Sequence, residues 1–72
     1  MIEAIAQTVM RHLEDGEEER AYNYLTSVAE DPKTPSLVLE VARRWVRYLE
    51  DGEPERVYNE AEDFADLTSQ WY

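Results

Sequence analysis

The sequence has no cysteine, only two glycines and three prolines, and a single lysine, Lys33. Without cysteine, a disulfide framework and a thiolate metal site are both excluded. Residues 1–7 are neither basic nor continuously apolar, so they predict neither a signal peptide nor a membrane span. These absences favour a cytoplasmic protein that uses no cofactor.

Basic residues are also scarce: there are seven, against seventeen acidic ones, which gives a formal net charge of -10. Binding to nucleic acid or to an anionic membrane requires cations on the protein, so neither direct contact is expected. Basic protein surfaces are the natural partners of such a chain. The alternative is that the acids only keep the surface solvated, as they do in proteins of high-salt organisms.

The sequence does contain an internal repeat. Leu13–Glu17 and Leu49–Glu53 both read Leu-Glu-Asp-Gly-Glu, 36 residues apart. The match continues at the same offset on both sides, at Ala6/Ala42, Arg11/Arg47, Glu19/Glu55, Arg20/Arg56, Tyr22/Tyr58, Asn23/Asn59 and Ala29/Ala65. The chain of residues 1–72 therefore reads as one domain built from two tandem helical hairpins, 1–31 and 36–72, joined by a linker at 32–35.

The spacing of apolar residues predicts four helices, at residues 2–14, 17–30, 36–50 and 54–70. Glycines after Asp15 and Asp51 suit the left-handed position that ends a helix, and Pro32 and Pro35 stop the second helix. The predicted fold class is all-α, a small four-helix bundle.

The start of the third helix is ambiguous in two respects. Thr34 and Ser36 are both plausible N-cap residues, because either hydroxyl can accept a backbone N–H. Leu37 and Val38 are both candidates for the first core position of an apolar face that continues through Val41.

Short connections make consecutive helices antiparallel, so the first and third connections should lie at the same end of the bundle. That end would gather nine carboxylates, moderated by Arg20 and Arg56. We call these nine residues the acidic end and take them as the candidate partner-binding site: Glu14, Asp15, Glu17, Glu18, Glu19, Glu50, Asp51, Glu53 and Glu55.

Two further charged groups have ordinary explanations. On the fourth helix Glu55, Glu62 and Asp66 fall near one stripe, which is also typical of the solvent side of an amphipathic helix. Arg43, Arg44 and Arg47 form the only basic cluster, and we expect Arg47 to pair with Glu50 or Asp51 and Arg44 with Glu40. Alternatively, the cluster supports head-to-tail or two-fold association, so a homodimer is compatible with the sequence.

Catalysis and metal binding are not indicated. The Asp-Gly-Glu turns lack the ligand spacing of a calcium loop, because glycine directly follows the first aspartate. His12 is the only histidine and corresponds to Tyr48 in the other hairpin, and the serines lack a nucleophile's context. We therefore expect no enzyme and no bound metal.

The aromatic residues are expected mainly to serve the fold. Tyr22-Asn23 and Tyr58-Asn59 should pack between helices, with a hydroxyl or amide tied to neighbouring backbone. Tyr24, Tyr48, Trp71 and Tyr72 are less committed to the core and are candidates for interface contacts.

In size, charge and lack of catalytic groups, the chain resembles the small acidic antagonists made by phages and mobile elements. The resemblance implies a non-catalytic inhibitor that binds a basic, nucleic-acid-binding protein, with carboxylates standing in for phosphates as in a DNA mimic. One alternative is an immunity protein or antitoxin that masks the basic site of a toxin such as a nuclease. Another is an acidic structural or assembly protein of a high-salt organism.

Overall fold

The computed structural model describes the backbone of residues 2–69 and the side chains of residues 2–65. Four helices account for most of this part: α1, Ile2–Glu14; α2, Glu18–Glu30; α3, Ser36–Glu50; and α4, Pro54–Ser69. The predicted helices are thus confirmed to within one residue at every described boundary. The predicted end of the fourth helix at residue 70 lies outside the described residues.

The helices form a ring in which each has two neighbours. The most extensive contacts join α1 to α4 and α2 to α3, and smaller ones join α1 to α2 and α3 to α4. The result is the predicted all-α four-helix bundle, with extents of 34 × 28 × 16 Å. In the described part of the chain, no helix has the length and apolar character required to cross a lipid bilayer.

All four helices contribute to one apolar core, as their helical spacing predicts. Its buried side chains are Ile5, Ala6, Val9, Ala21, Leu25, Val38, Val41, Ala42, Trp45, Val57 and Ala61. Trp45 is the largest of the fully buried side chains, and its ring meets Phe64 edge-on at a centroid distance of 5.9 Å. Burial of this indole requires a partner for its N–H, which Glu60 supplies from α4 at 3.1 Å.

The start of α3 resolves one ambiguity and corrects another prediction. Val38 is 7% exposed and Leu37 is 74% exposed, so Val38 holds the core position. Neither Thr34 nor Ser36 caps the helix: the residue at the N-cap position is Pro35, and no side chain caps the helix there. The Thr34 hydroxyl instead donates to the Val28 carbonyl at 2.8 Å, which fastens the connection back onto α2.

The two Asp-Gly turns end α1 and α3 with the same backbone hydrogen bonds. Gly16 and Gly52 have φ of 73° and 76°, the left-handed conformation that glycine adopts without steric cost. In the first turn, Glu17 N–H donates to the His12 carbonyl at 2.8 Å, and Gly16 N–H donates to Leu13 at 3.1 Å. Both bonds recur 36 residues later with the same lengths, and together they form the Schellman motif. The turns therefore match locally, and equivalence of the whole hairpins stays a prediction.

Candidate functional site: an acidic end formed by two turns

A hydrogen bond joins α1 to α4 at one end of the bundle. Glu14 is the last residue of α1. Tyr58 is the fifth residue of α4, the helix that follows the connection at 51–53. The Tyr58 hydroxyl donates to Glu14 Oε1 at 2.7 Å. The C-terminal end of α1 therefore lies beside the N-terminal end of α4, so the first and third connections share one end of the molecule.

The carboxylates of the acidic end are open to solvent. Eight of the nine residues are exposed and Glu17 is half-buried. Their positions follow from the helix boundaries: some close α1 and α3, and others open α2 and α4. The acids in the first turns of α2 and α4, Glu18, Glu19 and Glu55, are stabilised by the positive end of the helix dipole.

Only two of these carboxylates are ion-paired with arginine among the described residues. Arg20 Nε lies 3.3 Å from Glu17 Oε2, and an Arg56 terminal nitrogen lies 3.5 Å from Glu53 Oε2. Arg20 and Arg56 therefore moderate the acidic end, as the sequence suggests. The other seven carboxylates have no arginine or lysine within ion-pair distance in the described part of the chain. His12 Nδ1 lies 3.9 Å from Glu17, a contact that becomes an ion pair when the imidazole is protonated.

Tyr58 acts differently from the prediction. Its hydroxyl donates to a carboxylate and not to a backbone carbonyl. Asn23 and Asn59 are exposed, and within the described residues their amides make no hydrogen bond to neighbouring backbone. The hydrogen bond to the Glu14 carboxylate raises the pKa of Tyr58, with smaller contributions from desolvation and from the charges of Glu14 and Glu62. The two residues are 44 apart in sequence, so no local pattern could have paired them.

Two other tyrosines, Tyr24 and Tyr48, contact side chains of α1 and α4. The Tyr24 ring meets His12 edge-on at 6.4 Å, and Arg56 lies 5.5 Å from the centre of the Tyr48 ring. Both tyrosines are partly buried and pack against the core, so they are more committed to the fold than the sequence indicates. Trp71 and Tyr72, the other proposed aromatic contacts, lie outside the described residues.

The predicted pairing of Arg44 with Glu40 is wrong. Arg44 Nε lies 3.4 Å from Glu60 Oε1, the same oxygen that accepts the Trp45 indole N–H. Glu60 is only half-buried and already fixed in place by the indole, so α4 offers Arg44 a preorganised partner. Sequence spacing within α3 could not reveal this contact between helices.

The predicted pairing of Arg47 with Glu50 or Asp51 is also wrong. Within the described residues, Arg47 and its neighbour Arg43 make no ion pair, and both are exposed. A pair at this helical spacing on a solvated surface contributes little stability, so nothing holds these side chains to the nearby acids.

Two of the three carboxylates of the predicted acidic stripe on α4 lie among the described side chains. Glu55 and Glu62 are exposed, whereas the side chain of Asp66 lies outside the described residues. Within the described part of the chain, no group of three potential ligands is placed to hold a metal ion.

Comparison with known proteins gives this chain no relative. No protein-family model, no curated protein sequence and no solved structure matches it.

Proposed function

We propose that this protein is a non-catalytic binding protein whose acidic end contacts a basic surface on another protein. The observation that carries the proposal is the hydrogen bond between Tyr58 and Glu14, which holds the C-terminal end of α1 against the N-terminal part of α4. This contact supports the placement of both acidic connections at one end of the molecule, where seven of the nine carboxylates lack an arginine partner among the described residues. An acidic surface of this kind attracts a basic partner at long range and fits it by charge at contact.

The more specific proposal is an antagonist that occupies a nucleic-acid-binding site. The net charge of -10 spread along the longest dimension of 34 Å corresponds to about one charge per 3.4 Å. Duplex DNA carries about one charge per 1.7 Å of its axis, and each strand about one per 3.4 Å. The average charge density of the protein is therefore about half that of duplex DNA.

The test compares proteins captured by two charge-matched variants. The first removes three unpaired charges from the acidic end, with Asp15→Asn, Glu50→Gln and Asp51→Asn. These residues lie at helix C-terminal ends, where a negative charge is unfavourable, so the changes should not destabilise the fold. The control removes three exposed charges elsewhere, with Glu30→Gln, Asp31→Asn and Asp63→Asn.

Each protein is immobilised and exposed to cell lysate at about 0.1 M and about 1 M salt, where the Debye length falls from about 10 to about 3 Å. We expect wild type and control to capture the same basic protein at low salt only, and the acidic-end variant to lose it. The captured protein should also release a labelled oligonucleotide when wild type is added. Identical capture by both variants would contradict the proposal, and capture without oligonucleotide release would contradict its more specific form.

A further inference from the structure

The two Asp-Gly turns contain the groups of an intramolecular reaction. The backbone nitrogen that follows an aspartate can attack the side-chain carboxyl carbon, which closes a five-membered imide ring. A side chain on the following residue hinders this attack, and glycine has none. Asp15-Gly16 and Asp51-Gly52 are fully exposed, and no atom lies within 4 Å of the position that a Cβ would occupy on either glycine. The surroundings of both turns therefore leave room for the ring.

The folded turn, however, holds the reacting atoms apart. In the imide, the glycine nitrogen is eclipsed with the aspartate Cβ. At Asp51, a ψ of -1° instead eclipses the Gly52 nitrogen with the backbone nitrogen of Asp51 itself. The Gly52 N–H also donates to the Leu49 carbonyl at 3.1 Å, and the Gly16 N–H makes the same bond to Leu13. Ring closure therefore requires the turn to open and this hydrogen bond to break.

We propose that Asp15 and Asp51 convert spontaneously to isoaspartate, at a rate controlled by opening of the turns. The glycine nitrogen loses its proton and bonds to the aspartate Cγ, and a carboxyl oxygen leaves as water. A water molecule then adds across one of the two ring C–N bonds. Cleavage of the bond to Cγ restores aspartate, whereas cleavage of the bond to the original main-chain carbonyl carbon gives isoaspartate, whose main chain runs through Cβ and Cγ.

The product keeps the charge of the acidic end but changes its backbone. Isoaspartate still has one carboxylate, and its main chain is one atom longer. The N–H groups of Glu17 and Glu53 donate at 2.8 Å to the carbonyls of His12 and Tyr48, so these bonds span the modified residues. Because they satisfy carbonyls at helix ends, their loss should loosen the C-terminal ends of α1 and α3.

The sequence supplies two matched peptides for the experiment. Trypsin cleaves after Arg11, Arg20, Arg47 and Arg56, which releases residues 12–20 and 48–56. Each peptide contains one Asp-Gly bond, and the two differ only where His12 replaces Tyr48 and Glu18 replaces Pro54. Their intrinsic reactivities should therefore be similar, and differences between the free peptides and the intact protein report the effect of the fold.

The intact protein and the two synthetic peptides are incubated near neutral pH in water enriched in the heavy oxygen isotope, which enters when the imide hydrolyses. Digestion in ordinary water, chromatography and mass spectrometry then measure label and isomer at each site. We expect both sites in the folded protein to react more slowly than the free peptides by about tenfold or more, because opening each turn breaks two backbone hydrogen bonds. Urea at an unfolding concentration should remove this difference.

Two aspartates elsewhere in the described part of the chain are internal controls. Asp31 precedes Pro32, which has no N–H to lose, and Asp63 precedes Phe64 inside α4. Neither should acquire label at a comparable rate.

The matched variant is Asp15→Glu, which keeps the charge but needs a larger ring that closes more slowly. It should abolish the isomer in peptide 12–20 and leave that in peptide 48–56 unchanged. Three results would each overturn the proposal. They are label at Asp31 or Asp63 as fast as at the Asp-Gly bonds, equal rates in folded protein and free peptides, and no isomer in folded protein after many half-lives of the free peptides.

Discussion

The first and third connections carry the same Leu-Glu-Asp-Gly-Glu sequence and form the same hydrogen bonds, but their surroundings differ. At the first, Glu14 receives the Tyr58 hydroxyl. At the third connection, the corresponding residue Glu50 receives no hydrogen bond from Tyr22 within the described residues. Local sequence thus specifies the turn, whereas the contacts of its side chains depend on which helix packs alongside.

The contrast is larger inside the two hairpins. Offsetting the second hairpin by 36 residues places Trp45 where the first has Val9, and Glu60 where the first has Tyr24. Both Trp45 and Val9 are fully buried, but only Trp45 needs a polar partner. The second hairpin therefore contains a network of Trp45, Glu60 and Arg44 that has no counterpart in the first.

The largest predicted effect concerns Trp45, the buried residue that distinguishes the second hairpin from the first. Trp45→Ala should lower the free energy of unfolding by about 3–5 kcal/mol, because it leaves a large cavity and removes the hydrogen bond from the indole to Glu60. Val9→Ala, at the same position of the other hairpin, should cost about 2 kcal/mol. Urea denaturation followed by circular dichroism measures both. Equal losses would show that the indole and its network add nothing beyond an ordinary core residue.

The next effect tests the equivalence of the turns. Gly16→Ala and Gly52→Ala should each destabilise by about 1–2 kcal/mol, because both φ angles are positive and an L side chain is strained there. No atom lies within 4 Å of an added Cβ at either site, so the backbone alone determines the cost. Thermal unfolding should give closely similar losses.

The matched controls are Gly16→Asn and Gly52→Asn, since asparagine tolerates the left-handed conformation better and should cost less than alanine. Unequal losses for the two alanine variants would show that tertiary contacts, not local geometry, determine the stability of these turns.

The smallest effect concerns the Tyr58 hydroxyl, which joins α4 to α1. The pKa of Tyr58 is raised above 10.0 by its hydrogen bond to Glu14, so its contribution is complete below about pH 10 and lost as pH rises through the folded-state pKa. Wild type should therefore lose stability more steeply above pH 10 than Tyr58→Phe does. Tyr22→Phe, at the equivalent position, should behave like wild type. If the free energy of unfolding fell equally with pH above 10 in wild type and Tyr58→Phe, the Tyr58 hydroxyl would not be bonded to Glu14 in solution.

Local patterns predict the helices, the glycine turns and most of the core, because each depends on spacing within one segment. The same patterns could not choose between Leu37 and Val38, since adjacent residues differ by only about 100° around a helix. The pairing of Arg44 with Glu60 and of Tyr58 with Glu14 crosses between helices. Those contacts depend on how α4 packs against α3 and α1, which spacing within one helix does not encode.

The most direct test of the account is whether both turns bind a partner as one surface. The basic protein captured at low salt is titrated with wild type, with Asp15→Asn/Glu19→Gln, and with the equivalent pair Asp51→Asn/Glu55→Gln. We predict that both variants bind several-fold more weakly and depend less on salt, by similar amounts. Wild-type affinity in both variants, or a loss confined to one turn, would contradict the claim that the two turns form a single binding surface.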